Sequence, residues 1–334
     1  MKKLTDEEIA AELAALVRQA EGTIALVART EDELPPPATA WHDRPAPLVC
    51  RTFAGTVRAL QVTSFTAITS HGRHGESFVP REEARGGQED QSSILAFPRG
   101  AAPGTFMHDI FEHLDFPQLA TEPAACRQLI VKKLARHGFA PTWQEAVFAM
   151  VQNVLTTPLL PDRPDLVLQS IVARKRLNEL EFYFPLAAVT SAEVKEILQA
   201  HGHGGPGASS LEFTVHRGFL KGYMDLVFER DGRFYLVDWK SNYLGTDPAD
   251  YSRDRLAEVM ARERYNLQSL FYTVALHQYL AQRLPDYSYE SHFGGLFYIF
   301  LRGVGLDHGS ACGIHHDLPA ADFVTRLSRM LVTA

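Results

Sequence analysis

The sequence predicts an α/β protein in which a mixed central sheet is flanked by helices. Three observations carry that expectation. Residues 222 to 242, "GYMDLVFERDGRFYLVDWKSN", set two runs of Val, Leu, Phe and Tyr around an Asp-Gly pair, the mark of a β-hairpin with core-quality strands. Helical periodicity precedes and follows it, so elements run helix, strand, strand, strand, helix, strand, an order that places helices on the faces of a mixed sheet. The chain has 334 residues, 46% hydrophobic and 22% charged, enough for a substantial core.

From the N-terminus, Thr5 and Glu8 form a capping box for a helix whose apolar face is Ile9, Leu13, Leu16 and Val17, and "TIALVA" (23–28) reads as a short strand. "ELPPPATAWHDRPAP" breaks all periodicity, and its three consecutive prolines favour an extended connector. A boundary is expected there, separating residues 1–60 from 61–334. "TVRALQVTSFTAIT" is rich in strand formers. Residues 71–104 are rich in Gly, Arg, Glu, Gln, Ser and Pro, and are expected to form a mobile surface loop.

Three helices follow: "GTFMHDIFEHLDF" with Thr105 as N-cap, "EPAACRQLIVKKLARHG" stopped by Gly138, and "TWQEAVFAMVQNVL" opened by a Thr142/Glu145 capping box. "NELEFYFPL" reads as a strand closed by Pro185, and Thr190 with Glu193 caps the helix "SAEVKEILQA". After the flexible "HGHGGPGASS", strands recur at "LEFTVHR", "FLKGYMDLVFER" and "RFYLVDWKS". Helices are expected over 249–283, a strand at "GGLFYIFLR" and a closing helix at "AADFVTRLSRMLV". No internal repeat is present.

Several function classes are disfavoured. No run of eighteen apolar residues occurs and the acidic N-terminus is unlike a signal peptide, so a cytoplasmic protein without membrane contact is expected. Cys50, Cys126 and Cys312 are far apart and form no CxxC, which indicates isolated thiols rather than a disulfide or cluster framework. No G-x-x-x-x-G-K-[ST] is present, hence no ATP site of that type. A net charge of −7 does not advertise a nucleic-acid binder, so any such role must rest on a local site.

That site is the hairpin. Side chains alternate along a strand, so Asp238 and Lys240 share a face and Trp239 takes the other. With the turn at Asp231-Gly232, Asp225 on the partner strand falls beside Asp238. A pair such as Asp238 and Lys240 alone reads as an ordinary salt bridge at a strand end. Two carboxylates and an ammonium on one half-buried patch are different, because unpaired buried charges cost several kcal/mol each, on the order of what a hard divalent cation relieves. Oxygen ligands from two aspartates, with water and a substrate phosphate, suit Mg²⁺.

These residues resemble the PD-(D/E)xK nucleases, in the version carried by the C-terminal nuclease domain of the RecB type, the β subunit of exonuclease V. The family's Gly-x-[IV]-Asp appears as Gly222-Tyr223-Met224-Asp225, and its Asp-[YW]-Lys-[ST]-[ND] as Asp238-Trp239-Lys240-Ser241-Asn242. "YNLQSLFYTVALHQYL" resembles its Gln-x-x-x-Tyr helix, with Gln268 and Tyr272 one turn apart and Tyr265 on the same face. "GTFMHDIFEHL" resembles its Gly-x-x-x-His helix and "NELEFYFP" the strand bearing its remaining acid; the family pattern favours Glu179, with Glu181 in reserve.

The resemblance covers residues 100 to 305 and implies a restriction-endonuclease-like fold, an αβββαβ core with extra N-terminal helices. Residues 1–60 would be the end of a helicase part and its linker, and 61–334 the nuclease domain. It further implies a Mg²⁺-dependent deoxyribonuclease, the nuclease part of a helicase–nuclease that processes double-strand breaks for recombination and repair. Mn²⁺ would substitute and Ca²⁺ would inhibit. Asp225, Asp238, the Trp239 carbonyl and His108 would hold the metal; Lys240 would orient the attacking water, and Glu179 would assist through a second ion or bridging water. Gln268 and Tyr272 would guide the strand. Single-stranded DNA ends would be the substrate, and the helicase part, RecC-like and RecD-like subunits and a RecA-type recombinase the partners. "ARKR" at 173–176 and Arg253, Arg255, Arg262 and Arg264 are local basic clusters, equally readable as solvated faces. The alternatives are a non-catalytic docking module for such partners and a stand-alone structure-specific nuclease. The histidines of "HGHGG" and His315-His316 are expected in loops without ligand duty.

Overall fold

The computed structural model describes residues 5–20, 24–27, 61–64, 92–187, 189–200, 214–215, 218–305 and 308–332. The chain divides into two units, Met1–Arg58 and Ala59–Ala334. In the first, helix α1 (Asp6–Gln19) begins at Thr5, where the Thr5/Glu8 capping box is complete. The strand expected over 23–28 does not form at its described residues, 24–27, and no described strand pairs with them.

The second unit begins its described part with strand β1 (Gln61–Ser64), followed by helices α2 (Ala101–His113), α3 (Pro123–Arg136) and α4 (Gln144–Thr156). Then come β2 (Arg176–Leu186), β3 (Val189–Thr190), α5 (Ser191–Ala200), β4 (Thr214–Val215), β5 (Gly218–Arg230) and β6 (Arg233–Lys240). Helices α6 (Arg253–Arg262) and α7 (Tyr265–Arg283), strands β7 (Phe293–Phe300) and β8 (Ile314–Asp317), and helix α8 (Ala321–Leu331) complete it.

The sheet has six strands and is mixed. The β5–β6 hairpin turns at Asp231 (φ 53°) and Gly232 (φ 78°), the two left-handed positions that an Asp-Gly turn supplies. β7 lies parallel to β6 and β8 antiparallel to β7. β2 runs antiparallel along one edge of β5, from Gly218 to Phe228. The other edge of β5 is shared: β1 pairs with Gly218–Lys221 and β6 with Leu226–Arg230. Among the described residues, Gly222–Asp225 therefore lie between two neighbours on that edge and are paired with neither.

One core lies on each face of the sheet. Met224, Val227, Leu236 and Tyr298 pack with α6, α7 and α8; Leu226, Val237, Trp239 and Phe297 pack with α2, α3 and α4. Each fully buried Leu or Phe in these layers contributes about 1.5–3 kcal/mol relative to exposure. Alternation along β5 breaks once, because Leu220 and Met224 belong to the first core whereas Leu226 and Phe228, also even-numbered, belong to the second. Asp225 sits at the break. Opposite it on β2 is Glu179, whose φ of 50° is rare for a residue with a side chain.

Several expected boundaries shift. α2 begins after Gly100, so Thr105 lies inside the helix and its hydroxyl donates to the Ala101 carbonyl at 3.1 Å instead of capping. Pro103 is tolerated because first-turn N–H groups have no intrahelical partner. The Thr142/Glu145 capping box does not form, since a 3₁₀ turn at Pro141–Trp143 precedes α4 and Glu145 pairs with Arg127. Pro185 lies within β2 rather than ending it, as suits an edge strand.

The loop expected over 71–104 is packed where it is described, from residue 92. Phe97 is 1% exposed, and the buried guanidinium of Arg302 donates to the carbonyls of Ile94, Phe97 and Pro98. His315 and His316 belong to β8 and not to a loop, and the "HGHGG" histidines lie outside the described residues. The Thr190/Glu193 box and the stop at Gly138 (φ 74°) form as read. Cys126 and Cys312 are buried free thiols, and Cys50 lies outside the described residues. No described helix is long and apolar enough to cross a membrane.

Candidate active site

The unpaired stretch of β5 opens a cleft of about 520 Å³, lined among others by Ser64, His108, Asp225, Asp238, Lys240 and Gln268. The hairpin register, whose last pair is Leu226 with Val237, sets Asp225 opposite Asp238. Asp225 Oδ2 accepts the Trp239 backbone N–H at 2.7 Å. Asp238 is 3% exposed, and its buried Oδ2 lacks a well-oriented hydrogen-bond donor; its neighbour is the Lys240 ammonium, in ionic contact. Trp239 turns its indole to the opposite core, where it stacks on Phe111 with ring centroids 4.6 Å apart. The alternation of the motif thus anchors one side chain while presenting two.

Helix α2 delivers His108. Its Nε2 donates to the Trp239 carbonyl at 3.0 Å and its Nδ1 lies 3.6 Å from Asp225 Oδ2. Gly104, one turn earlier, is what lets α2 approach: a Cβ there would stand 2.9 Å from Ser241 Oγ. Gly222 serves β5 similarly, since a Cβ would lie 2.4 Å from the Phe182 ring.

Glu179 approaches Asp225 from β2. Ligand atoms of His108, Glu179 and Asp225 all lie within 4.8 Å of one another. Glu181 does not join them; its carboxylate accepts from Lys221 Nζ at 2.7 Å and Tyr223 Oη at 2.7 Å. The two acids do not share a face, because the backbone turns at Glu179. A second acidic group, Asp109, Glu112 and His113, is already occupied: Asp109 accepts from Lys133 at 2.6 Å and lies 2.8 Å from His137.

On the far wall, Lys240 Nζ donates to Gln268 Oε1 at 3.2 Å and lies 4.0 Å from the centroid of the Tyr265 ring. Tyr298 Oη donates to the same Gln268 oxygen at 3.2 Å, and Gln268 Nε2 donates to Tyr272 Oη at 3.0 Å. Two donors converging on Oε1 fix the amide's orientation. Gln268 and Tyr272 line the cleft; Gln268 holds Lys240, and Tyr272 in turn accepts from Gln268. Tyr298 was not singled out from the sequence. The signal was a tyrosine inside the otherwise apolar "GGLFYIFL", at the position pairing with Asp238.

Electrostatics are strained by design of burial and proximity. Burial, and then the neighbouring Asp238, push the Asp225 carboxyl well above the usual range. Burial also raises Glu179, with Glu112 and Asp238 adding to it. His108 is lowered, chiefly by burial, and so favours the neutral imidazole. For Lys240 burial is the largest single effect and acts downward, but Asp238, Tyr265 and Asp225 together outweigh it and the ammonium is retained.

The residues present fit a divalent metal. Carboxylate oxygens of Asp225, Asp238 and Glu179, the Trp239 carbonyl and a neutral imidazole form a hard donor set with surplus negative charge. The basic clusters are less available: Arg255 and Arg262 pair with Glu258 and Glu263, and Lys175 with Glu229.

The sequence matches the family model described as "PD-(D/E)XK nuclease superfamily" over residues 83–311. It is 37% identical over 279 residues to the RecBCD enzyme subunit RecB of Escherichia coli (strain K12), covering 81% of this chain and 23% of that protein. The RecB subunit of Mycobacterium tuberculosis (strain H37Rv) is 35% identical over 307 residues, covering 83% of this chain and 27% of that protein. For Haemophilus influenzae RecB the figures are 35% over 240 residues, 72% of this chain and 19% of that protein. The chain thus spans 19 to 27% of the length of these relatives. With the mixed sheet, the Asp225–Asp238–Lys240 hairpin and the family match in agreement, the chain belongs to the PD-(D/E)XK nuclease superfamily, as a nuclease domain of the RecB type.

Proposed function

We propose that this domain hydrolyses phosphodiester bonds of DNA at single-stranded ends, using Mg²⁺. The observation that carries the reading is the meeting of Asp225, Asp238 and Lys240 on one wall of an open cleft, with His108 and Glu179 beside them. Asp225, Asp238, the Trp239 carbonyl and His108 would hold a divalent ion, which would supply Lewis acidity toward a phosphate oxygen and lower the pKa of the attacking water.

The protein's own groups do the rest. Lys240, kept charged by Asp238 and aimed by Gln268 and the Tyr265 ring, orients the water and screens the phosphate. His108 enters neutral, ready to bind through a ring nitrogen. Glu179, with its raised carboxyl, takes or relays a proton beside Asp225, or joins a second ion. Gln268 holds Lys240, Tyr272 holds Gln268, and both border the path of the strand. Mn²⁺ fits the same donors, whereas the larger Ca²⁺ prefers more ligands and acts as an inhibitory occupant.

In the intact enzyme we assign the domain to a cytoplasmic helicase–nuclease that processes double-strand breaks for recombination, with residues 1–60 linking it to a helicase part. RecC-like and RecD-like subunits and a RecA-type recombinase are the partners of that reading. It is supported by the relatives' name, "RecBCD enzyme subunit RecB". The test is cleavage of single-stranded DNA with Mg²⁺ or Mn²⁺. Asp238→Ala or Lys240→Ala abolishes cleavage while thermal unfolding remains cooperative. Undiminished cleavage by either variant contradicts the mechanism, and an inactive wild type with either metal favours a docking module.

A further inference from the structure

We infer that Tyr223 and Tyr183, set around Lys221, form a stacking platform for the bases of single-stranded nucleic acid beside the scissile phosphate. The inference rests on the nuclease reading above and adds the element that grips the substrate. Both rings stand on the surface, Tyr183 52% and Tyr223 44% exposed. They are nevertheless fixed. The Glu181 carboxylate accepts from Tyr223 Oη at 2.7 Å, Tyr183 Oη at 3.2 Å and Lys221 Nζ at 2.7 Å. Lys221 Nζ lies 5.2 and 5.3 Å from the two ring centroids.

Exposed ion pairs and hydroxyl bonds of this kind add little to stability. Their physical effect is to remove rotamer freedom from two solvent-facing aromatic rings, which lowers the cost of binding something flat against them. Glu181 thereby has a task distinct from that of Glu179.

Location identifies the ligand. Tyr223 and Lys221 line the same cleft as Asp225 and Asp238. Tyr223 precedes Asp225 by two residues, a rise of about 7 Å along a strand, comparable to one extended nucleotide. A strand with its phosphate at the acids must lay a neighbouring base over Tyr223. Lys221 and Glu181 cancel in charge, so the platform offers π faces rather than a cationic patch. Paired bases in a duplex have no free faces to offer, so the ligand is single-stranded.

The test uses the full chain, with wild type, Tyr223→Ala, Tyr183→Ala, the double variant and Tyr223→Trp. Steady-state cleavage of a single-stranded oligonucleotide is measured in Mg²⁺. Fluorescence anisotropy of the same oligonucleotide, with and without abasic positions, is measured in Ca²⁺ across a salt series. The double variant is expected to raise KM about 10-fold, in line with the loss of stacking on one or two bases, with kcat within about 2-fold. Its salt slope stays at the wild-type value, because no phosphate contact is lost. Tyr223→Trp restores affinity, and abasic substitution weakens binding to wild type but not to the double variant. Unchanged KM in the double variant, or equal wild-type affinity for abasic and base-bearing strands, overturns the platform and leaves an aromatic patch for a protein partner. A wild type that binds base-selectively without cleaving speaks against the nuclease reading and not against the platform.

Discussion

Glu179 stands opposite Asp225 across β2 and β5, between the paired positions Asn178–Leu226 and Leu180–Met224, and holds a φ of 50° there. This is the point where β5 passes its even-numbered side chains from one core to the other. A left-handed backbone at a residue with a side chain costs on the order of 1–3 kcal/mol. Here the strain turns a second carboxylate toward Asp225. Glu179→Gly is therefore expected to raise thermal stability while lowering cleavage at least ~100-fold, and Glu179→Gln to lose the same activity while keeping the backbone strain. Unfolding scans beside initial rates check both.

Glu181 is the contrasting variant. Its carboxylate is engaged with Lys221 and Tyr223, outside the group of His108, Glu179 and Asp225. Glu181→Gln should leave kcat within about 3-fold, since no group that exchanges protons or binds metal is lost. A loss of kcat equal to that of Glu179→Gln would reverse the assignment of the two acids.

Asp225 carries the clearest pH dependence. Its folded pKa lies well above the ordinary carboxylate value, through burial first and Asp238 second. The folded protein therefore keeps a proton that the unfolded chain releases. Stability from this group is present below the unfolded pKa near 3.8 and is lost as pH rises toward the folded value. Without metal, Asp225→Asn should raise thermal stability at pH 8, because it removes the buried charge while the amide oxygen still accepts from the Trp239 N–H. At pH 4 the gain should vanish. Scanning calorimetry in chelator at both values checks this.

Gly104 tests how His108 reaches the site. Gly104→Ala brings a Cβ against Ser241 Oγ, which can rotate away, and gains about 1 kcal/mol of helix propensity. Gly104→Val cannot be absorbed so easily; it pushes α2 off β6 and should lower cleavage at least ~10-fold. Ser241→Ala in the Val background should recover part of that loss, measured as initial rate.

Much of this was legible in the sequence because the hairpin is local. The Asp-Gly turn sets the register, the register sets Asp225 against Asp238, and period-two alternation sends Trp239 to the other core. What was not legible depends on residues far apart in the chain. Thr105 and Thr142 looked like caps, but α2 already starts at Ala101 and Pro141 opens a 3₁₀ turn ahead of α4. Phe97 sits in a polar stretch, and only Arg302, more than two hundred residues later, shows that the stretch is packed. Period-two alternation puts Glu179 and Glu181 on one face and so could not separate them; the left-handed backbone at Glu179 does. Tyr298 matters through a parallel pairing with Asp238 that no local pattern announces.

The most direct measurement is a calorimetric titration of Mn²⁺ into the wild type and into Asp225→Asn, at pH 6 and pH 8 in buffers of different ionisation enthalpy. Wild type is expected to bind with proton release, and more tightly at pH 8, because metal and proton compete for Asp225; the variant loses that binding and its proton release. Equal affinity and equal proton release in the two proteins would contradict a metal centre built on the β5–β6 hairpin.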